Sequence, residues 1–140
     1  CCEPPVEQWL AVVDVDHFKQ VNDRFGHLYG DEVLILIANI LRSSFRSHDR
    51  IFRFGGEEFV ILLRSATLQE AQKIFERFRS TVEAHHFPQL GQITISLGFS
   101  GTRLCSPVEI LGHADQALYQ AKAQGRDRVC LAGSSQPALF

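Results

Sequence analysis

Arg50-Ile51-Phe52-Arg53-Phe54-Gly55-Gly56-Glu57-Glu58-Phe59-Val60-Ile61-Leu62-Leu63 is the stretch from which the fold is read. Two short runs rich in phenylalanine and aliphatic residues flank a glycine pair. Glycine enters positive φ without a Cβ clash, so Gly55-Gly56 predicts a tight hairpin turn between strands over 50–54 and 59–63. Glu57 and Glu58 then sit at the edge of that hairpin, and sheet rims are where α/β architectures place ligands.

Working outward, Trp9 to Val13 is a continuous apolar run closed by Asp14-Val15-Asp16, which predicts a central, buried strand ending in carboxylates. His17 to Phe25 reads as a short helix stopped by Gly26. Asp31 is placed to cap a second helix, whose apolar positions Val33, Leu34, Ile37, Ala38, Ile40 and Leu41 recur at helical spacing as far as about Arg46. Downstream of the hairpin, Thr67 with Glu70 is a capping box before Ala71, Ile74, Phe75, Phe78 and Val82. Ile93, Ile95, Leu97 and Phe99 alternate as a strand. Ser106-Pro107 with Glu109 opens a last helix through Leu111, Ala114, Leu118 and Ala121 to Gly125, and Arg128 to Leu131 forms a final strand. This order predicts an α+β fold: a mixed central sheet of about five strands with helices on both faces.

The 140 residues, 45% of them hydrophobic, suit one domain over 1–132 followed by a polar, flexible tail over 133–140. A net charge of -2 with interspersed signs is not the basic field of a duplex nucleic-acid binder, so any phosphate binding must be local. Cys1, Cys2, Cys105 and Cys130 form no C-x-x-C pair, and His27, His85, His86 and His113 supply no metal-ligand spacing beside them. The expectation is ordinary thiols in a reduced, cytoplasmic compartment. No apolar run approaches the ~20 residues of a membrane span, so this domain is expected to make no membrane contact, an anchor being left to an upstream region. Phe18, Phe25, Phe54 and Phe59 are expected in packing.

Should the rim carboxylates Asp14 and Glu57 converge, they repel by about 4 kcal/mol at an effective dielectric of about 20, a cost that a divalent cation reverses. Oxygen ligands favour Mg²⁺ or Mn²⁺. The alternative is that Asp14 caps the following helix while Glu57 and Glu58 are solvated turn residues.

Gly55-Gly56-Glu57-Glu58-Phe59 in its hairpin, with Asp14-Val15-Asp16-His17-Phe18-Lys19, Asn22-Asp23-Arg24-Phe25-Gly26-His27, Gly30-Asp31 and Ala121-Lys122-Ala123-Gln124-Gly125-Arg126, resembles the ordered motifs of GGDEF domains, with glutamate in the variable third place. The resemblance implies a palm-like nucleotidyl-cyclase fold and a diguanylate cyclase. Such an enzyme condenses two GTP molecules into cyclic di-GMP with release of two pyrophosphates, two copies of the domain forming one site. By the same resemblance, Asp14, Glu57 and the main-chain carbonyl of Val15 hold the metal, and Glu57 or Glu58 helps deprotonate the attacking ribose hydroxyl. Asn22 and Asp31 match the guanine-reading pair, although a helix-end asparagine and an N-cap aspartate would look the same; Gly26 and Gly30 would keep that pocket open. Lys122 and Arg126 match triphosphate contacts, or else complement the helix dipole. The main-chain amides of His17 and Phe18 would add phosphate donors, with Lys19 a weaker candidate. Arg46-Ser47-His48-Asp49 resembles the R-x-x-D of a product-inhibition site, joined by Arg77, where the plainer reading is a helix-end salt bridge.

Two features depart from the family pattern. An Asp-x-Leu-Thr-Gly-Leu-x-Asn-Arg segment usually precedes the first strand and nothing in Cys1 to Leu10 matches it, which implies a truncated start; His17 stands where phenylalanine is common. Two competing functions remain: a catalytically silent module sensing cyclic di-GMP or GTP, against which the intact Glu57-Glu58 pair argues, and a different metal-dependent nucleotidyl transferase, which would need another base pocket.

Overall fold

The apolar run after Glu7 becomes β1 (Glu7–Val15), which pairs antiparallel on both sides, with β3 (Glu58–Ala66) and β4 (Ile95–Gly101). With β2 (Arg50–Phe54) and β5 (Val129–Leu131), the sheet runs β2-β3-β1-β4-β5 in the computed structural model, which describes residues 7–46, 49–54, 56–102 and 106–132. Only the β4–β5 pair is parallel, so the sheet is mixed as expected.

Strand alternation sorts β1 into two layers. Trp9, Ala11, Val13 and Val15 join the large core with α1 (Phe18–Phe25), α2 (His27–Ser44) and α3 (Leu68–Ala84), where Phe45, Phe75, Phe78 and Phe99 stack at 4.9 to 5.9 Å. Val12 packs on the other face against Ala114 and Leu118 of α4 (Pro107–Ala123). Helices therefore cover both faces. The expected capping box forms, Thr67 Oγ1 accepting from the Glu70 amide at 3.2 Å, and Ser106 makes a second one, its Oγ accepting from the Glu109 amide at 3.3 Å.

Gly98, in β4, sets how close α4 comes. A Cβ there would lie 2.1 Å from the Leu118 amide nitrogen and 2.4 Å from the Ala114 carbonyl oxygen, so the helix backbone rests directly on the strand. That approach carries the last turn of α4 to the end of β1.

The structure corrects three local expectations. Asp31 does not cap α2, which begins at His27 with Gly26 as its N-cap. At φ 92, Gly26 turns the chain from one helix straight into the next, its amide donating to Asn22 O at 2.8 Å and its carbonyl accepting from Gly30 at 3.1 Å. Strand β3 starts at Glu58 rather than Phe59, because Glu58 pairs with both Phe54 and Asp14. Gly56 does not use positive φ; the Arg53 guanidinium instead holds its carbonyl, at 2.9 and 3.2 Å. Gly55, Ser47, His48, Cys1, Cys2, Cys105 and the 133–140 tail lie outside the described residues, as does the side chain of Phe54. Among the described residues no helix is long and apolar enough to cross a membrane.

Candidate active site

Register places Asp14 opposite Glu58 on one side and Ser96 on the other, at the rim of the face that α4 covers. The Asp14 side chain is 4% exposed. Its Oδ2 accepts from Lys122 Nζ, reaching in from the last turn of α4, while its Oδ1 is buried with no hydrogen-bond partner. Glu57 comes to the same carboxylate from the turn. Burial, then repulsion by Asp14 and a proton shared with it, raises the Glu57 pKa, and Lys122 only partly offsets this. Glu58 is raised by burial, then by Asp14 and by Asp115 of α4. Three rim carboxylates thus share one ammonium.

An orphaned carboxylate oxygen in an anionic pocket fits a hard divalent cation. Among the described residues no group of three His, Cys, Asp or Glu side chains forms a metal cage. The donor set therefore suits a hard divalent cation held by one or two carboxylates.

Asp16 is a different kind of acid. Its Oδ1 accepts from Ser96 Oγ at 2.7 Å, and its Oδ2 from Thr94 Oγ1 at 2.7 Å and the Asp127 amide at 3.1 Å, so it ties β1 to β4 and to the loop after α4. His17 follows at φ 59 and ψ 29, a left-handed turn into α1 that no side chain caps. The amides of a helix's first turn have no intrahelical partner, which leaves them for an anion. The Phe18 ring is core at 5% exposure, so only its backbone faces that role. Lys19 is exposed.

Asn22 and the start of α2 are brought together. A Cβ on Gly30 would fall 2.0 Å from Asn22 Oδ1, and that oxygen is buried without a partner, as is the Tyr29 hydroxyl. Asp31, the residue after Gly30, is exposed on α2. Arg126 follows α4 at φ 65, its amide bonded to Ala121 O at 2.9 Å, on the same end of the helix as Lys122.

The other arginines form a separate corner. Asp49, 7% exposed, accepts from the Arg46 amide at 3.0 Å, Arg46 Nε at 3.3 Å and the Arg64 amide at 3.0 Å. Arg46 also donates to Arg64 O at 2.7 Å, and Arg77 to Ser44 O at 3.2 Å. The plain structural role of the R-x-x-D pair is thus realised, yet the Arg46 side chain remains 40% exposed. Arg64 is six residue steps along β3 from Glu58, about 20 Å of strand, so this corner lies at the opposite end of the sheet from the acids.

A family model described as "Diguanylate cyclase, GGDEF domain" matches residues 6–128. The chain belongs to the GGDEF domain family. It is 48% identical over 126 residues to diguanylate cyclase DgcP of Pseudomonas aeruginosa, covering 86% of this chain and 18% of that protein. The active GGEEF domain of a diguanylate cyclase from Vibrio cholerae superposes with a TM-score of 0.86 at 35% identity, covering 93% of this chain and 85% of that one. The GGDEF domain of DgcB from Caulobacter crescentus, in complex with c-di-GMP, gives 0.87 at 32% identity, with 92% and 80% covered. The chain spans less than half the length of the curated relatives it matches.

In this GGDEF domain Gly56 and Glu57 stand in the turn before β3, and Glu58 and Phe59 are its first residues. Phe18 and Phe59 are buried and Phe25 packs against the core, as expected. Burial pushes the Cys130 thiol up, in keeping with an unreactive cysteine. His27, His86 and His113 are exposed, and the His85 ring packs on Phe87 at 4.7 Å. Asp115, Asp127 and Arg79 stand outside the sequence motifs, and Asp16 stands in one with no role of its own. For Arg79 a signal was available: Glu76 and Glu83 stand at the i−3 and i+4 positions of a helix.

Proposed function

We propose that this GGDEF domain condenses two GTP molecules into cyclic di-GMP and two pyrophosphates, two copies facing each other to complete one site. The observation that carries the reading is the buried, unpartnered Asp14 Oδ1 beside Glu57 and Glu58. Asp14, Glu57 and the Val15 carbonyl would hold Mg²⁺ or Mn²⁺, which when bound neutralises the triphosphate and polarises the α-phosphate. Glu57 or Glu58 takes the proton from the 3′-hydroxyl. Lys122, Arg126 and the amides of His17 and Phe18 hold phosphate oxygens. Asn22 and Asp31 read guanine: the unpartnered Asn22 Oδ1 is an acceptor in want of a donor, and guanine presents two donors side by side that adenine lacks.

Arg46, Asp49 and Arg77 form the product-inhibition site, supported by the exposed part of the Arg46 guanidinium. With GTP as substrate, the domain (1–132, with the 133–140 tail) works on the cytoplasmic side, its pairing governed by regions beyond this chain.

The test is product analysis of concentrated protein, alone and with upstream sequence restored, given GTP or ATP with Mg²⁺. Cyclic di-GMP forms from GTP only, at a rate rising more steeply than linearly with protein, and Glu57→Gln lowers it at least ~100-fold while the fold persists. Undiminished synthesis by that variant removes the metal and base roles. No synthesis, with tight cyclic di-GMP binding, leaves the silent sensor.

A further inference from the structure

Arg79, in the body of α3, ends among three carboxylates: Glu76 at 2.5 Å, Asp127 at 2.6 Å and Glu83 at 3.1 Å. The first and last are its own helix neighbours and more exposed than it is. Asp127 is 48 residues away, and the Arg79 side chain is only 13% exposed where it meets it.

Asp127 closes an unusual run. Gly125, Arg126 and Asp127 take φ of 127, 65 and 50 in succession, a region that arginine disfavours and aspartate tolerates better. Such a turn persists when its surroundings over-determine it. Here the Asp127 carboxylate is held by Arg79, and its amide donates to Asp16 Oδ2 at 3.1 Å and Ser96 Oγ at 3.2 Å. Arg126 is therefore strung between the end of α4 and a residue fastened on both sides. Asp16, the acceptor in that clamp, stands two residues from Asp14.

We infer that Arg79 is a positioning residue: through Asp127 it holds the left-handed turn that presents Arg126 to the substrate phosphates, and it braces Asp16 at the end of β1. The inference rests on the phosphate role proposed for Arg126.

The test follows the full chain by hydrogen exchange at the Asp127 amide and by titration with a non-hydrolysable GTP analogue and Mg²⁺. In Arg79→Gln, Asp127 protection falls at least ~10-fold while β1 amides keep theirs, and analogue affinity falls ~10-fold; Arg79→Lys recovers part of both. The double variant with Arg126→Ala binds no more weakly than Arg126→Ala alone, because one effect passes through the other. Unchanged Asp127 protection, or losses that multiply in the double variant, overturns the inference. Normal affinity in Arg126→Ala with fast Asp127 exchange in Arg79→Gln instead overturns the phosphate role and leaves only the clamp. If Arg79→Gln does not fold, Asp127→Asn gives the same readouts while leaving Arg79 its two helix partners.

Discussion

The two oxygens of Asp14 meet different fates, one on Lys122 and one on nothing, and the glutamates beside them titrate accordingly. Folding raises the Glu57 and Glu58 pKa values, so what these acids contribute to stability is fully present below their unfolded values and is lost as pH rises through the folded ones. At pH 7 without metal the rim is under repulsion. Both glutamates are half-buried and keep enough solvent contact to screen the repulsion, so relief is worth less than about 1 kcal/mol. Glu57→Gln should raise Tm by a few °C at pH 7 in chelator and by nothing near pH 4, read by thermal unfolding at each pH. A lowered Tm at pH 7 would mean that Glu57 makes a favourable contact that outweighs the repulsion. Asp14 and Glu57 stood out in the sequence because they end a strand and a glycine turn. Asp16 looked equivalent to Asp14, and only its three donors show it to be a fastening rather than a free ligand.

The capping boxes at Thr67 and Ser106 were legible because a cap is a rule over four residues. The start of α2 was not: Asp31 is a favoured cap residue, but a glycine five residues earlier had already turned the chain into a helix. Nor did local pattern mark Gly98, whose need arises from the helix lying on it. Gly98→Ala forces a Cβ to within 2.1 Å of the Leu118 backbone, which no rotamer can relieve. Overpacking of this kind costs about 1–3 kcal/mol, so Tm should fall by several °C. Because Lys122 rides on α4, GTP-analogue affinity should fall with it in the same titration. An alanine variant as stable and tight-binding as the parent would show that α4 shifts freely.

Across the whole molecule, the acidic rim and the Arg46–Asp49 corner occupy opposite ends of β3. Under the proposed function, product held at one end would not touch the acids of the same copy, so feedback would have to act through how two copies are set against each other. Arg46→Ala should weaken inhibition by cyclic di-GMP at least ~10-fold while leaving kcat for GTP within about twofold, measured by initial rates with added product. Inhibition as strong as before would move the product site elsewhere. Asp49→Ala is the poorer variant, since its buried carboxylate accepts two backbone amides whose loss costs about 1–3 kcal/mol.

By itself the sequence determined the strands, the helices, the glycine turn and the α+β class, since periodicity, caps and turn residues act over a few positions. It also carried the motifs that mark the family. Tertiary structure alone decided that Lys122 meets Asp14 across 108 residues, that Arg79 meets Asp127 across 48, and that Glu58 stands opposite Asp14. Those meetings depend on which faces the core buries against one another, and burial is settled by the whole chain at once.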